Sequence, residues 1–220
     1  HDALPIFFAG EVVGSYAQGA AFQASDPTVV HGTNGMAAAL VGLTSAQTPA
    51  EQEAAKSRLV MMQALSLFVG GLPLIYMGDE WGQGNTTAQE IAQRQGPDSR
   101  ELHRPMFDEH GFANRHDAST MQGQIYAALR AFIQAKKQHS SLSATHPLSI
   151  WNTGTSAVLG LKRGSNALGL FNFSGQSQTL SPTPAITQNC LMHGTDLISG
   201  KSVDLQGLQL APYSVIWLKK

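Results

Sequence analysis

The sequence predicts an α/β segment that passes into an all-β module, the order in which a (β/α) barrel ends before an appended β domain. Three observations carry this. A capped amphipathic helix runs into a short, continuous apolar stretch bounded by glycines. A long polar loop then leads to a second amphipathic helix. From about Pro147, helical spacing gives way to short apolar runs separated by Gly, Asn and Pro.

In chain order, residues 1–34 are rich in Gly and aromatic residues and read as loop with short helical pieces. Gly35 to Leu43 is a short apolar helix. Thr48-Pro49-Ala50-Glu51 is a strong helix start: Thr48 can cap, proline suits the first helical position, and Glu51 can reach back. Leu59, Met62, Leu65 and Val69 supply the apolar face, and Gly70-Gly71 ends the helix. Leu72 to Met77 then reads as a fully buried parallel strand, with Asp79 and Glu80 at its C-terminal end. Residues 81–118 read as one long polar loop. Ser119-Thr120-Met121-Gln122 resembles a capping box, followed by a helix whose apolar face carries Ile125, Leu129, Phe132 and Ile133. Strands are expected at Ser149–Asn152, Ala157–Lys162, Ala167–Phe173, Gln176–Leu180 and Ser214–Leu218.

Composition narrows the function. With 220 residues the chain can bury a sizeable core, and 42% hydrophobic against 13% charged residues is a globular balance. The formal net charge of −1, with no basic run, gives no reason to expect nucleic acid or an anionic membrane as partner. The apolar stretch from Leu59 to Gly78 approaches membrane-span length, but Gln63, Ser66 and the Gly70-Gly71-Leu72-Pro73 break favour helix, turn and strand. His1-Asp2-Ala3-Leu4-Pro5 lacks the basic region of a signal peptide. The compartment stays open, with the cytoplasm slightly favoured over secretion.

Several smaller signals carry little. Cys190 is the sole cysteine, so the chain can form no internal disulfide and no cysteine-based metal site. The eight histidines show no metal-ligand spacing, and neither a metal nor a cofactor is expected. Gly82-x-Gly84 lacks the third glycine of a dinucleotide fingerprint. Asn85-Thr86-Thr87 and Asn172-Phe173-Ser174 match the N-glycosylation pattern, a short match common by chance.

Longer motifs resemble a known family. Gly71-Leu72-Pro73-Leu74-Ile75-Tyr76-Met77-Gly78-Asp79-Glu80 resembles the eighth barrel strand of the alpha-amylase superfamily and the loop that follows it. Asp98-Ser99-Arg100 with His103-Arg104-Pro105 is similar to the amylosucrase version of that loop. Gly14 to Gly19, Ala37 to Leu43, Gly123-Gln124-Ile125-Tyr126, Asn172-Phe173-Ser174, Asp196-Leu197-Ile198 and Pro212-Tyr213 with Trp217-Leu218 also resemble amylosucrase segments.

The resemblance implies a map. Residues 1–34 would belong to the insertion after barrel strand 7, which shapes a sucrose pocket. Residues 35–143 would end a (β/α)8 TIM barrel, and residues 144–220 would form a C-terminal β-sandwich domain. Enzymes of this family cleave sucrose with retention, through a covalent glucosyl intermediate and a second carboxylic acid that protonates the leaving fructose. The resemblance places all three active-site carboxylates before residue 1, so the chain alone is expected to be inactive. Sucrose and alpha-glucan are the implied partners.

For the residues present, the resemblance makes Arg100 the substrate-binding residue, paired with an aspartate from an early loop at the bottom of the glucosyl pocket. A bidentate guanidinium–carboxylate pair is rigid and leaves donors for sugar hydroxyls. Asp79, Glu80, Asp98, His103 and Arg104 are expected to support the site. Adjacent carboxylates on a strand point to opposite faces, which argues against Asp79 and Glu80 as a catalytic pair. One departure matters. Amylosucrases carry acceptor-side arginines in the insertion, whereas here no arginine precedes Arg58; the matching positions are Asp2 and the region of Gly32. Glucan synthesis and sucrose hydrolysis therefore both stay open, beside a non-catalytic carbohydrate-binding module.

Overall fold

The computed structural model describes residues 7–10, 12–22, 32–94, 98–180 and 193–220. Asp2 and Cys190 lie outside them. The fold is mixed helix and antiparallel sheet, in two compact units. One comprises the described residues up to Leu59 with Ile75–Ala127; the other comprises Val60–Leu74 and Ala128–Lys220.

The first unit begins with a hairpin, β1 (Ala20–Phe22) against β2 (Gly32–Asn34), with Ala21 opposite Thr33. Helix α1 (Ala37–Leu40) follows, then α2 (Pro49–Phe68). The predicted capping box of α2 is present. Glu51 accepts the Thr48 amide at 2.9 Å, and the Thr48 hydroxyl accepts the Glu51 amide at 3.2 Å. Ala38, Val41, Leu59 and Ile125 form the apolar centre of this unit, with Leu43 and Met121 packed on it. Further helices are α3 (Ala88–Ala92), α4 (Glu109–Asn114) and α5 (Met121–Gln138). The cap of α5 is Thr120, whose hydroxyl accepts the Gly123 amide at 3.0 Å. Ser119, the expected cap, instead donates its hydroxyl to Asp117 at 2.7 Å.

The second unit is built on a six-stranded antiparallel sheet of order β3-β4-β5-β10-β7-β8. Its strands are β3 (Leu148–Trp151), β4 (Val158–Arg163), β5 (Ala167–Asn172), β7 (His193–Asp196), β8 (Ser202–Asp204) and β10 (Val215–Lys219). A two-stranded ladder, β6 (Gln178–Thr179) with β9 (Gln209–Leu210), accompanies it. Every residue of β5 is buried. Leu168 and Leu170 join Trp151, Leu180, Leu205 and Leu210 in one core. Phe171 instead packs edge-on against Phe68, at 5.9 Å between ring centroids. Trp217 sits 5.4 Å from Phe68 and 4.7 Å from Phe132, so the last turn of α2 and the C-terminal half of α5 cover that side.

A buried cation closes the C-terminus of α2. Arg163 is 2% exposed, and its Nε and Nη2 donate to the Phe68 carbonyl at 3.0 and 2.5 Å. Its Nη1 donates to the carbonyls of Ser143 at 3.1 Å and His146 at 3.3 Å. Lys136 donates to the Leu67 carbonyl at 2.6 Å. Terminal helix carbonyls lack intrahelical donors and carry the negative end of the dipole, so two cations are well placed there.

The five expected strands of the β module are present; four are shifted or shortened by one residue, and Gln176–Leu180 is reduced to Gln178–Thr179. The expectation for Leu72 to Met77 needs correction. This run carries no regular secondary structure, ends in a turn at Met77 and pairs with no strand among the described residues, and it is exposed: Leu72 is 99% and Leu74 79% accessible. An apolar run becomes a buried strand only where neighbouring strands take its amides and carbonyls. All ladders among the described residues are antiparallel and lie elsewhere. No helix among the described residues is long and apolar enough to cross a membrane.

Candidate functional site

Where a long polar loop was expected, the described residues between Gly78 and Asp108 form short helical turns. Gly78 adopts φ 94°, a left-handed turn open to glycine, and a Cβ there would stand 2.5 Å from Gln83 Oε1. That turn starts a 3-10 helix, Asp79–Trp81, so Asp79 and Glu80 do not sit on a strand. Asp79 is buried, and the Glu80 carboxylate folds back to accept the Gly78 amide at 2.8 Å. Glu80 thus braces its own turn. Trp81 anchors the turn through edge-on contacts with Phe107 at 5.8 Å and Phe112 at 5.6 Å.

A charged triad holds the far side of the segment. Arg94 donates to Glu101, Arg104 donates to the same carboxylate at 3.1 Å, and Arg94 Nη2 reaches the Arg104 carbonyl at 2.8 Å. Arg94, and then Arg104, hold the Glu101 carboxyl below its usual range. Thr86 ties in the backbone, its amide donating to Leu102 at 2.9 Å and its hydroxyl to Glu101 at 2.5 Å. Arg104 is thus tied to Glu101 and Arg94, two residues that the sequence reading did not single out. Their signal was the spacing of seven and three residues around one acid, which is faint in a loop without periodicity.

Arg100 lies on the 3-10 turn Ser99–His103. Asp98 caps this turn by accepting the Arg100 amide at 2.9 Å. The same carboxylate grips the guanidinium as a fork, taking Nε at 2.9 Å and Nη2 at 2.6 Å. The hydrogen bonds from Arg100 pull the Asp98 carboxyl down to about 2. Among the described residues, Arg100 Nη1 has no acceptor, and the side chain is 56% exposed. The β1–β2 hairpin packs beside this turn, and His103 stands edge-on to Tyr76 at 6.1 Å. The structure thus brings the early hairpin, Arg100, Asp98 and His103 to one place; Arg104 caps the same turn, and Asp79 and Glu80 lie on the separate 3-10 turn Asp79–Trp81.

Both glycosylation patterns have structural roles. Asn85 accepts the Met36 amide at 2.7 Å and donates to the Gln18 carbonyl at 2.6 Å, next to buried Thr86. Asn172 is fully buried; its amide nitrogen reaches the Gln176 and Ala211 carbonyls at 2.8 Å each, and its oxygen accepts the Ser174 amide at 3.0 Å. Among the described residues, no group of three His, Cys, Asp or Glu side chains could hold a metal ion.

Comparison with known proteins adds the context. No family model matches the chain. It is 27% identical over 176 residues to glucosylglycerate phosphorylase of Escherichia coli (strain K12), covering 74% of this chain and 28% of that protein. Among solved structures, AmyP with maltotriose superposes with a TM-score of 0.62 at 14% identity, over 83% of this chain and 38% of that one. MutB with isomaltulose superposes with a TM-score of 0.54 at 17% identity, over 74% of this chain and 38% of that one. At these identities the structural likeness is one of fold. The chain spans about a third of the length of the proteins it matches. A maltooligosyl trehalose synthase superposes with a TM-score of 0.52 at 14% identity, over 77% of this chain and 22% of that one.

Proposed function

We propose that this chain is the C-terminal part of a retaining, sucrose-cleaving glucosyl-transferring enzyme of the amylosucrase type. In this reading residues 1–34 belong to the insertion after barrel strand 7, residues 35–143 end a (β/α)8 barrel, and residues 144–220 form its β-sandwich domain. The nucleophile and the acid lie on strands upstream. Sucrose is the donor and alpha-glucan the acceptor.

The observation that carries this reading is the turn of Arg100. Its guanidinium is clamped on one edge by Asp98 and open on the other, beside the β1–β2 hairpin. A planar donor fixed in this way can bind vicinal sugar hydroxyls without first losing side-chain freedom. Its part in catalysis is to hold the glucosyl unit while upstream carboxylates break and remake the glycosidic bond.

A second reading concerns the acceptor and the donor. The 27% likeness to a glucosylglycerate phosphorylase favours inorganic phosphate in place of glucan, and the missing arginines in the early segment favour water. The test uses the protein that carries this chain together with its upstream region. Sucrose and glucosylglycerate are each supplied with and without phosphate, and the fate of the glucosyl group is followed. Fructose release from sucrose is expected, with the glucosyl group appearing as glucan, glucose or glucose phosphate according to acceptor. Arg100→Ala should lower kcat/KM on the order of a hundredfold. No fructose from sucrose at any condition would refute the sucrose assignment.

A further inference from the structure

A polar groove of about 420 Å³ opens in the second unit, where the end of α5 meets the end of β10. Its walls include His139, Ser140, Ser141, Asn166, Lys219 and Lys220. No Asp or Glu side chain and no phenyl, phenol or indole ring lines it among the described residues. The side chains of Ser140, Ser141 and Lys219 make no hydrogen bond or ion pair among the described residues. The groove wall is fixed by backbone: Lys219 pairs across to Ala167 in β5, and the Lys220 amide donates to the Asn166 carbonyl at 3.1 Å.

We infer that this groove is a binding site for a phosphate group, either inorganic phosphate or the phosphate of a small sugar. The inference does not depend on the catalytic reading. The lining residues include two lysines, a histidine and two serines. That set is weighted towards donors and positive charge, which a doubly charged tetrahedral oxyanion satisfies and a neutral ligand does not. Without a flat ring to stack on, the groove lacks the platform that would favour an unphosphorylated pyranose. The volume exceeds that of phosphate alone and leaves space for an attached sugar. Burial and the nearby Lys219 keep the His139 imidazole below its ordinary pKa, so an anion beside it would be drawn in further by recharging the ring.

The test is titration of the full chain by amide NMR with three probes: inorganic phosphate, a hexose monophosphate and glucose, against sodium chloride at matched ionic strength. Saturable shifts confined to Ser140, Ser141, Asn166 and Lys220 are expected with both phosphates and not with glucose. Tighter binding of the hexose monophosphate would identify a sugar phosphate as the occupant; equal binding would identify phosphate itself. Lys219→Gln should weaken binding about tenfold, and Lys219→Arg should retain it. His139→Gln serves as a second variant, since its side chain lies outside the sheet ladder. Equal shifts from chloride, shifts centred on Arg100 instead of this groove, or unchanged affinity in both loss variants would overturn the inference.

Discussion

Arg163 offers the sharpest test of how the second unit is held together. Replacing it with Met keeps most of the volume but removes every donor. The Phe68 carbonyl, buried at the end of α2, loses two hydrogen bonds, and the half-buried carbonyls of Ser143 and His146 lose one each. A buried acceptor left without a partner costs about 1–3 kcal/mol. Water can reach two of the three, so their share is smaller. Against this, Met relieves the cost of burying a cation, the same cost that lowers the Arg163 pKa. The net expectation is a loss of about 2–3 kcal/mol. With a urea dependence of about 2 kcal/mol per molar, the unfolding midpoint should fall by about 1 M or slightly more. Far-UV circular dichroism and tryptophan fluorescence together would follow it, because Trp151 and Trp217 both report on this unit. Arg163→Lys should fall between the two, since an ammonium cannot span three carbonyls. A Met variant as stable as the parent would refute the capping account, and would mean that packing alone closes the helix.

Three further outcomes are expected. Gly70 has φ 100°, and a Cβ there would lie 2.7 Å from Arg163 Nη2, so Gly70→Ala should cost about 1–3 kcal/mol and couple with Arg163→Met in a double-mutant cycle of urea melts. Asp98 should titrate near 2 by carbon-detected NMR and return towards the ordinary carboxylate range in Arg100→Gln; the stability from this pair is present above the unfolded pKa and lost as pH falls through about 2. His139 should titrate below 6.5, because burial and then Lys219 disfavour its charged form. The unfolded chain therefore takes up that proton first, so stability held above pH 6.5 declines as pH drops towards the folded value, and Lys219→Gln should move the NMR midpoint upward.

What could be read from the sequence was what local chemistry decides. The Thr48–Glu51 capping box is contained within one helix, so the bounds of α2 were legible nearly to the residue; its apolar face was not, since of Leu59, Met62, Leu65 and Val69 only Leu59 is buried, and Met61, Ala64, Leu67 and Phe68 take the inner positions. The hairpin from β4 to β5 was legible because both strands are apolar and bounded by a tight turn. The strands β7, β8 and β9 were missed. They are short and polar (His-Gly-Thr-Asp, Ser-Val-Asp, Gln-Leu), and their partners, not their own patterning, make them strands. The run from Leu72 to Met77 failed in the opposite sense: its composition suits a strand, but pairing is a property of neighbours. At the site, Arg100 and Asp98 were named through a family resemblance. The Arg94–Glu101–Arg104 triad had no periodic signal, because charge networks in loops are set by where the backbone turns.

The place of β10 in the sheet bears on how the protein is made. Residues 215–219 lie between β5 and β7, in the interior of the sheet. During synthesis the β3-β4-β5 meander can pair as it emerges, and so can the β7-β8 hairpin, but each keeps a bare edge until β10 arrives. Those edges are exposed on a nascent chain, where open strand edges invite association with other chains. A ribosome that stalls before residues 215–219 are made would thus leave two half-sheets with no strand joining them, and a chaperone that shields strand edges would matter most in that interval.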